Sequence, residues 1–204
     1  MEFLASKDEL RAVYREPGDN AVRKELKGLD RHCRAFIEKS PFVLIGSQDA
    51  DGNADVTPKG DRPGFVAVLD DRMIAIPDRP GNNRLDTLEN IVANPAVGLI
   101  FLIPGMHETL RINGEARITV DAGLRERLSV EGKAPQSVIV VKVLAAYMHC
   151  AKAFMRSELW NPKAWPPRDS MPTLGEMLKD QLALADSAEK TDAWLSDAYA
   201  KSMW

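Results

Sequence analysis

Asp78-Arg-Pro-Gly-Asn-Asn-Arg-Leu-Asp-Thr-Leu-Glu-Asn-Ile-Val-Ala-Asn-Pro95 joins two apolar runs, Met73–Ile76 and Val97–Ile103, that have the composition of β-strands. Pro80-Gly81 is a turn signal, so the chain should change direction soon after the first strand. The rest of the stretch predicts a short helix. The resulting order of strand, turn, helix and strand is the frame into which the other segments of the chain can be placed.

The predicted helix is defined by its two ends and by its apolar face. Asn82 or Asn83 can cap its start, because asparagine is favoured at that position. Asn94-Pro95 ends it, because the residue before a proline disfavours the α conformation. The apolar residues between these ends recur at helical spacing and are Leu85, Leu88, Ile91 and Val92.

The mouth of this helix is a candidate anion site. Free backbone N–H groups and the positive end of the helix dipole favour a negative charge there. Arg84 or Arg79 would add a full positive charge. This combination is typical of a phosphate site, and the alternative is an ordinary capped helix with a solvated arginine.

Composition limits the class of protein. With 204 residues, of which 45% are hydrophobic, the chain fits one medium domain, alone or with an appendage. A net charge of −3 gives no general attraction to nucleic acid or to an anionic membrane. Cys33 and Cys150 form no CxxC pattern, which favours two free thiols in a reducing cytosol. The N-terminus is too charged for a signal peptide and no apolar run reaches transmembrane length, so we expect a cytoplasmic protein.

The centre of the chain is rich in short predicted strands. Brief turns such as Asp51-Gly52 separate them, and only one helix interrupts them. This pattern argues against a doubly wound sheet and favours an antiparallel barrel or sandwich. The predicted strands are Phe42–Ser47, Ala54–Lys59, Phe65–Leu69, Arg72–Ile76, Val97–Ile103, Thr109–Val120 and Val138–Val143.

Helical segments flank this core. They divide the chain into N-terminal helices (1–40), a barrel core (41–148) and a helical extension of the same domain (149–204). The C-terminal helices carry apolar stripes that need a covering surface, which either the chain's own core or a partner subunit can supply. The predicted helices are Ser6–Glu16, Leu29–Lys39, His149–Arg156, Thr173–Leu184 and Asp186–Tyr199, with irregular chain over Trp160–Pro167 and an end at Trp204.

Several motifs occur in an order and spacing that together are more specific than any one of them. They are Ser40–Ser47, Asp55-Val-Thr-Pro-Lys-Gly-Asp61, Pro63–Val66, Ile76–Arg84, Thr87–Ile91, Asn94-Pro95, Thr109–Ala116, His149–Ala153 and Arg156–Trp160. In this combination they resemble the pyridoxamine 5′-phosphate oxidase-like FMN-binding split-barrel family, with closest similarity to a bacterial branch of flavoproteins. The resemblance covers the chain from Leu29 to Leu182.

The resemblance implies a fold and an assembly. The fold is mainly β (α+β), an antiparallel split β-barrel with flanking helices. The assembly is a homodimer with FMN in a cleft at the subunit interface, where basic side chains and the loop before the central helix hold the phosphate. Asn113-Gly114, which local signals allow to be a hairpin turn or a bulge, is then favoured as a bulge within one long strand.

Carried over to matching positions, the resemblance implies a set of FMN-binding residues. Arg84 is the first choice for the phosphate, because a guanidinium fork matches phosphate oxygens, and Asn83 and Thr87 would add neutral donors. Lys59 is the second basic candidate, the alternative being a solvated turn lysine. The strand residues that would line the flavin edge are Val56, Thr57 and Pro58.

Two further groups of residues are implied on other segments. Arg111 and Asn113 lie on the long strand that the resemblance puts near the flavin or the dimer interface, and the alternative for Arg111 is an outward salt bridge. Lys152 and Arg156 are four residues apart and share one helix face. With Trp160, which could cover the flavin ring, they would reach the partner's flavin, the alternative being dimer packing alone.

Two features bear on phosphate and substrate. Asp86, in the first helical turn, would repel a phosphate unless it points away or pairs with an arginine. The basic and aromatic C-terminal constellation that grips substrate phosphate in pyridoxamine-phosphate oxidases is not recognisable, which argues against vitamin B6 oxidation.

Other chemistries have weak sequence support. His149 beside Cys150 is not a chelating pattern by itself, and neither Gly-x-Ser-x-Gly nor Gly-x-Gly-x-x-Gly occurs, so we expect no metal site and no Rossmann site. We therefore predict an FMN-dependent oxidoreductase of unknown substrate and unknown catalytic residues. The alternatives are a non-catalytic flavin carrier or sensor, a split barrel that binds haem or a deazaflavin, and a dimeric interaction module.

Overall fold

One antiparallel sheet of seven strands forms the body of the chain. In the computed structural model, which describes residues 1–203, the strands are β1 (Phe42–Gln48), β2 (Ala54–Gly60), β3 (Ala67–Val68), β4 (Met73–Asp78), β5 (Ala96–Leu102), β6 (Thr109–Thr119) and β7 (Ser137–His149). Their order across the sheet is β2-β1-β5-β6-β7-β4-β3, and every named pairing is antiparallel. The antiparallel sheet with flanking helices confirms that part of the sequence prediction.

Eight α-helices lie among residues 1–203. They are α1 (Lys7–Val13), α2 (Asp19–Arg23), α3 (Arg31–Lys39), α4 (Asp86–Ala93), α5 (Ala122–Arg127), α6 (Lys152–Ser157), α7 (Leu174–Leu182) and α8 (Ala188–Ser202). Across the described part of the chain, no helix combines the length and the apolar character needed to span a bilayer. The expected helix end at Trp204 lies outside the described residues, and the three-part division of the chain stays a prediction.

The larger of two core clusters lies on one face of the sheet because side chains alternate along the strands. In β1, Val43 and Ile45 are fully buried, whereas the residues between and beside them are partly exposed. Ile37 from α3 and Ile91 from α4 join the same core cluster. Helix α4 contacts β1, β2 and β6, so it lies against the buried side of the sheet.

The sheet bends until the ends of two non-adjacent strands meet. Lys59 in β2 and Asp78 in β4 form an ion pair of 2.7 Å, and just beyond the two strands Asp61 and Arg79 form another of 2.7 Å. In strand order, β2 is an edge strand and β4 is next to the opposite edge. This curvature is compatible with the expected split barrel.

A β-bulge lies where β6 and β7 pair. Asn113 pairs with Ala145, but the next residue, Gly114, pairs with Val143, which leaves Leu144 as the extra residue. The structure confirms one long strand through Asn113-Gly114 in place of a hairpin turn, but the extra residue of the bulge lies opposite, on β7. A Cβ atom on Gly114 would lie 2.3 Å from the carbonyl oxygen of Lys142, so the close approach of the two strands requires glycine.

Several element boundaries differ from the sequence prediction. β7 continues past the bulge to His149, so the helix that was predicted to begin there begins only at Lys152. The predicted strand Phe65–Leu69 is reduced to the two residues of β3. Helix α2 was not predicted, because its five residues have no buried apolar face.

We expect Gly114→Ala to destabilise the fold by about 1–3 kcal/mol, because an added methyl group must push two paired strands apart. Denaturant unfolding would measure the change in the free energy of unfolding. Gly18→Ala is the control, because a Cβ atom there meets no atom within 4 Å. Equal stabilities for the two variants would contradict the close approach at Gly114.

Candidate functional site

A cleft of about 210 Å³ opens between β2, the end of β4 and the N-terminus of α4. Six of the residues predicted for FMN line it, namely Val56, Thr57, Lys59, Asn83, Arg84 and Thr87. Pro58 does not line it. Its side chain lies on the opposite face of β2 from Thr57 and Lys59, and it is exposed.

The loop that enters α4 has an unusual backbone. Asn83 and Leu85 both have positive φ angles, 59° and 58°, which non-glycine residues adopt infrequently. The side-chain oxygen of Asn82 accepts a hydrogen bond of 3.0 Å from the backbone N–H of Arg84. These turns place Arg84 between two left-handed residues at the mouth of the cleft.

The start of α4 differs from the prediction. The N-cap is Leu85, not Asn82 or Asn83, and no side chain caps the helix. The prediction was wrong because the side chain of Asn82 accepts its hydrogen bond from Arg84, which lies in the loop two residues before α4 begins. The first N–H groups of α4 therefore lack a side-chain cap, which leaves backbone donors at the wall of the cleft.

Three cations surround the cleft, and each faces a carboxylate. Lys59 with Asp78 and Arg79 with Asp61 are largely shielded pairs, with side-chain exposures of 21% and 16%, and of 16% and 1%. Arg84 pairs with Asp86 at 2.6 Å, and these two side chains are 78% and 45% exposed. Lys59 is therefore not a solvated turn lysine, and Asp86 does pair with an arginine.

Thr87 fixes α4 to β2. It is buried, and its hydroxyl donates a hydrogen bond of 3.1 Å to Asp55. One turn later, the amide of Asn90 donates to the hydroxyl of Ser47 on β1, at 3.1 Å. The hydroxyl proton of Thr87 thus already has an acceptor, so this side chain is held as a wall of the cleft.

Arg111 and Asn113 lie on the outer face of the sheet, away from the cleft. Arg111 pairs with Ile100 on β5 and with Tyr147 on β7, and such cross-strand neighbours point to the same side. The neighbours of Arg111 along β6, Leu110 and Ile112, are fully buried on the other side. A single chain therefore does not bring Arg111 and Asn113 to the cleft.

Arg111 belongs to a basic cluster around an aromatic ring. Its guanidinium lies 5.4 Å from the ring centroid of Tyr147, and the amino group of Lys24 lies 5.8 Å from the same centroid. Burial, and then the charges of Arg111 and Lys24, lower the pKa of His149 below its ordinary 6.5. Within residues 1–203, Arg111 makes this cation–π contact and no salt bridge.

The predicted C-terminal group also lies outside the cleft. Trp160 stacks on Phe154, with ring centroids 5.9 Å apart, and its indole N–H donates to the carbonyl oxygen of Met106 at 2.7 Å. Lys152 and Arg156 lie on α6 as predicted, and both are exposed. In one chain Trp160 is therefore bound to the loop after β5, and none of these three residues lines the cleft.

Sequence reasoning missed cleft residues whose position depends on distant strands. Asp55 and Asp78 belong to the quoted motifs, but nothing local indicated that they would accept bonds from Thr87 and Lys59. Gln136 lines the cleft from the segment before β7, about 50 residues away in sequence from the helix mouth, and no local signal marks it. Over the described residues, no three His, Cys, Asp or Glu side chains are grouped to hold a metal ion.

A model of the family described as pyridoxamine 5′-phosphate oxidase matches residues 29–150, which is more than half of the chain. The chain belongs to the pyridoxamine 5′-phosphate oxidase family. The matched region begins before α3 and ends just after β7, so it contains all seven strands, the cleft, Arg111 and Tyr147, but not Lys24. Curated protein sequences gave no match.

Solved structures with a similar fold have low sequence identity to this chain. HupZ from Group A Streptococcus is 15% identical, with 59% of this chain and 93% of that chain covered and a TM-score of 0.49. An F420 reductase is 20% identical, with 58% and 98% covered and a TM-score of 0.44. An FMN-binding protein from Syntrophomonas wolfei is 12% identical, with 57% and 88% covered and a TM-score of 0.44. At these scores the likenesses carry no argument about function.

Replacing Arg111 by Gln should raise the pKa of His149, because one of the two positive charges that oppose its protonation is removed. The pKa should stay below 6.5, because burial is the larger cause. An NMR titration of the His149 ring would measure it. Arg117→Gln, a substitution at an exposed position on the same strand, is the control. An unchanged His149 pKa in Arg111→Gln would contradict the conclusion that the charge of Arg111 acts on His149.

The same pKa has a consequence for stability. Because the folded protein binds this proton less readily than the unfolded chain, His149 makes the fold less stable as the pH falls from 6.5 through the lower, folded pKa. In Arg111→Gln this acid-side loss should be smaller, and denaturant unfolding at several pH values would measure it.

Proposed function

We propose that this protein binds FMN, with the phosphate at the mouth of α4, and that it is an FMN-dependent oxidoreductase of unknown substrate. The observation that carries the proposal is the combination of an uncapped helix start with Arg84, whose carboxylate partner is exposed. Family membership adds support, since it agrees with the phosphate site that the local chemistry suggests independently. Cytoplasmic location also stays a prediction.

The cleft suits a phosphate better than its acidic residues first suggest. An exposed ion pair contributes roughly 0–1 kcal/mol, so Arg84 can leave Asp86 for a phosphate at little cost. The free N–H groups of α4 favour an anion, and the amide of Asn83 can donate beside them. Asp78 would not repel the ligand strongly, because the positive charge of Lys59 neutralises it at 2.7 Å, whereas Asp55 keeps its charge beside the neutral Thr87 hydroxyl.

The size of the cleft indicates that one chain forms only part of the site. Its volume of about 210 Å³ lies below the roughly 300–1,000 Å³ typical of pockets that enclose a small molecule. The phosphate and the adjoining sugar chain fit this volume better than a three-ring system does. The flavin ring would therefore lie beyond the cleft, along the edge strand β2, and a second subunit would cover it.

We infer a homodimer formed through the outer face of the sheet. Leu44 and Ile100 are cross-strand neighbours there and remain partly exposed, as do Arg111 and Tyr147 in the same row. Gly46 and Gly98, in the next row, leave the surface flat for close packing. A partner on this face would bring its own Arg111 and Asn113 towards the flavin, which would account for their position away from the cleft.

When bound, FMN would supply hydride acceptance and donation. The residues of this chain would hold its phosphate, fix its ring edge against β2 and limit water access. No cleft side chain stands out as a required acid or base. A carrier, a sensor, or a protein that binds haem or a deazaflavin remains the alternative, and the absorption spectrum and released chromophore of the purified protein would identify the cofactor.

Arg84→Ala should weaken FMN binding by about 1.5–3 kcal/mol, the scale of a charge-assisted hydrogen bond. It should leave riboflavin binding unchanged, because riboflavin lacks the phosphate. Fluorescence titration of both ligands would measure this. Arg23→Ala is the matched control, since Arg23 is also exposed in a local ion pair, with Asp19. An FMN affinity equal to that of the unsubstituted protein would remove Arg84 from the site.

The dimer proposal has its own test. Light scattering at micromolar concentration should give about twice the chain mass of 22.6 kDa. Ile100→Asp should shift the protein to a monomer, because it puts a charge on the packed outer face. Val92→Asp, a change at an exposed position on α4, should remain dimeric. A monomeric unsubstituted protein would refute the proposal.

A further inference from the structure

Asp61 and Arg79 form a shielded link next to the cleft. Asp61 directly follows β2 and Arg79 directly follows β4. The carboxylate of Asp61 is only 1% exposed and lies 2.7 Å from the guanidinium of Arg79. A second guanidinium nitrogen of Arg79 donates to the carbonyl oxygen of Leu128 at 2.9 Å, so this one side chain joins three segments of the chain.

Each partner of this link is itself well anchored. The backbone N–H of Asp61 donates to the carbonyl oxygen of Pro41 at 3.1 Å, which ties it to the start of β1. Leu128 is buried in a small apolar cluster with Ala75 and Val138. Arg79 is therefore bound to parts of the fold that do not belong to the loop it begins.

The loop 79–85 is consequently held at both ends. At its start, the Asp61–Arg79 pair lies next to the Lys59–Asp78 pair, so two ion pairs connect the same strand ends. At its far end, Thr87 is bonded to Asp55. The residues between these anchors are exposed, yet two of them adopt left-handed conformations, which persist only when the surroundings impose them.

The two arginines of this loop differ in how easily they could exchange partners. Arg79 is 16% exposed and satisfies a buried carboxylate, so moving it to a ligand would leave an unpaired charge in the interior. Arg84 and Asp86 are open to solvent, which can replace either partner. The chemistry thus separates a fixed arginine from an exchangeable one.

We propose that Asp61 and Arg79 are positioning residues, a buried clasp that sets the conformation of the loop 79–85 and thereby presents Arg84 and the start of α4 to an anionic ligand. The ligand part of this inference rests on the proposed function. The clasp part does not, because it concerns the conformation of the chain alone.

The first test measures the loop without ligand. In Asp61→Asn, amide hydrogen exchange within 79–88 should rise about tenfold or more at Arg84, whose N–H is hydrogen-bonded to Asn82, because the anchor of the loop is weakened, while exchange in the centres of β6 and β7 stays unchanged. Glu131→Gln is the matched control, because it removes an exposed carboxylate from the Arg62–Glu131 pair nearby. Unchanged exchange over 79–88 in a folded Asp61→Asn protein would overturn the clasp.

Substitutions of Arg79 test the same point if Asp61→Asn does not fold. Arg79→Lys retains the charge that Asp61 requires, whereas Arg79→Gln removes it and leaves a shorter, neutral polar side chain. Exchange at the hydrogen-bonded amide of Arg84 should stay slow in Arg79→Lys and become faster in Arg79→Gln. Equal exchange over 79–88 in both variants would show that the ion pair does not position the loop.

The second test compares ligands. In Asp61→Asn, affinity for FMN should fall about tenfold while affinity for riboflavin is retained, because the Lys59–Asp78 pair still holds β2 and only the phosphate contacts the displaced loop. A purely structural defect would weaken both ligands equally, and that result would contradict the positioning role. If the unsubstituted protein binds neither flavin, the proposed function fails, and the exchange measurements still decide for or against the clasp.

Discussion

The two ion pairs between the ends of β2 and β4 are the constraint on which the cleft depends. β2 is an edge strand that pairs only with β1, so backbone hydrogen bonds hold it from one side alone. Lys59–Asp78 and Asp61–Arg79 hold its other side against the far part of the sheet. A carboxylate as buried as Asp61 is tolerable only with a partner, so the curvature of the sheet and the pairing require each other.

The start of α4 shows how contacts between residues distant in sequence can determine a local backbone conformation. Capping by Asn82 or Asn83 is the locally favoured start, but the observed helix begins later, after two residues with positive φ. That arrangement costs local strain, which the anchored ends of the loop 79–85 can offset. The result is a helix start without a side-chain cap, which is poor for isolated helix stability and well suited to an anion.

Much of the fold could be predicted from the sequence, because alternation and turn residues are local. The apolar run Phe42–Ser47 predicted β1, and Asn94-Pro95 predicted the end of α4. The length of β7 could not be predicted in the same way, since the bulge at Leu144 shifts the alternation halfway along the strand. Within the site, turn and helix signals in the local sequence indicated the residues of the loop before α4. The position of Gln136 and the ion-pair partners of Lys59 and Arg79 could not be predicted, because they depend on how strands distant in sequence meet.

The distribution of charge around the cleft explains how a basic loop can be built into an acidic chain. Lys59 and Arg79 are neutralised by Asp78 and Asp61 in shielded pairs, so they shape the cleft without mutual repulsion. Arg84 is neutralised only by an exposed neighbour, so its charge can be redirected to a ligand. Since the other two pairs are too shielded to exchange, any anion that enters would meet one mobile guanidinium and the fixed donors of α4. The selectivity of the cleft would then depend on the placement of the loop more than on the number of basic residues.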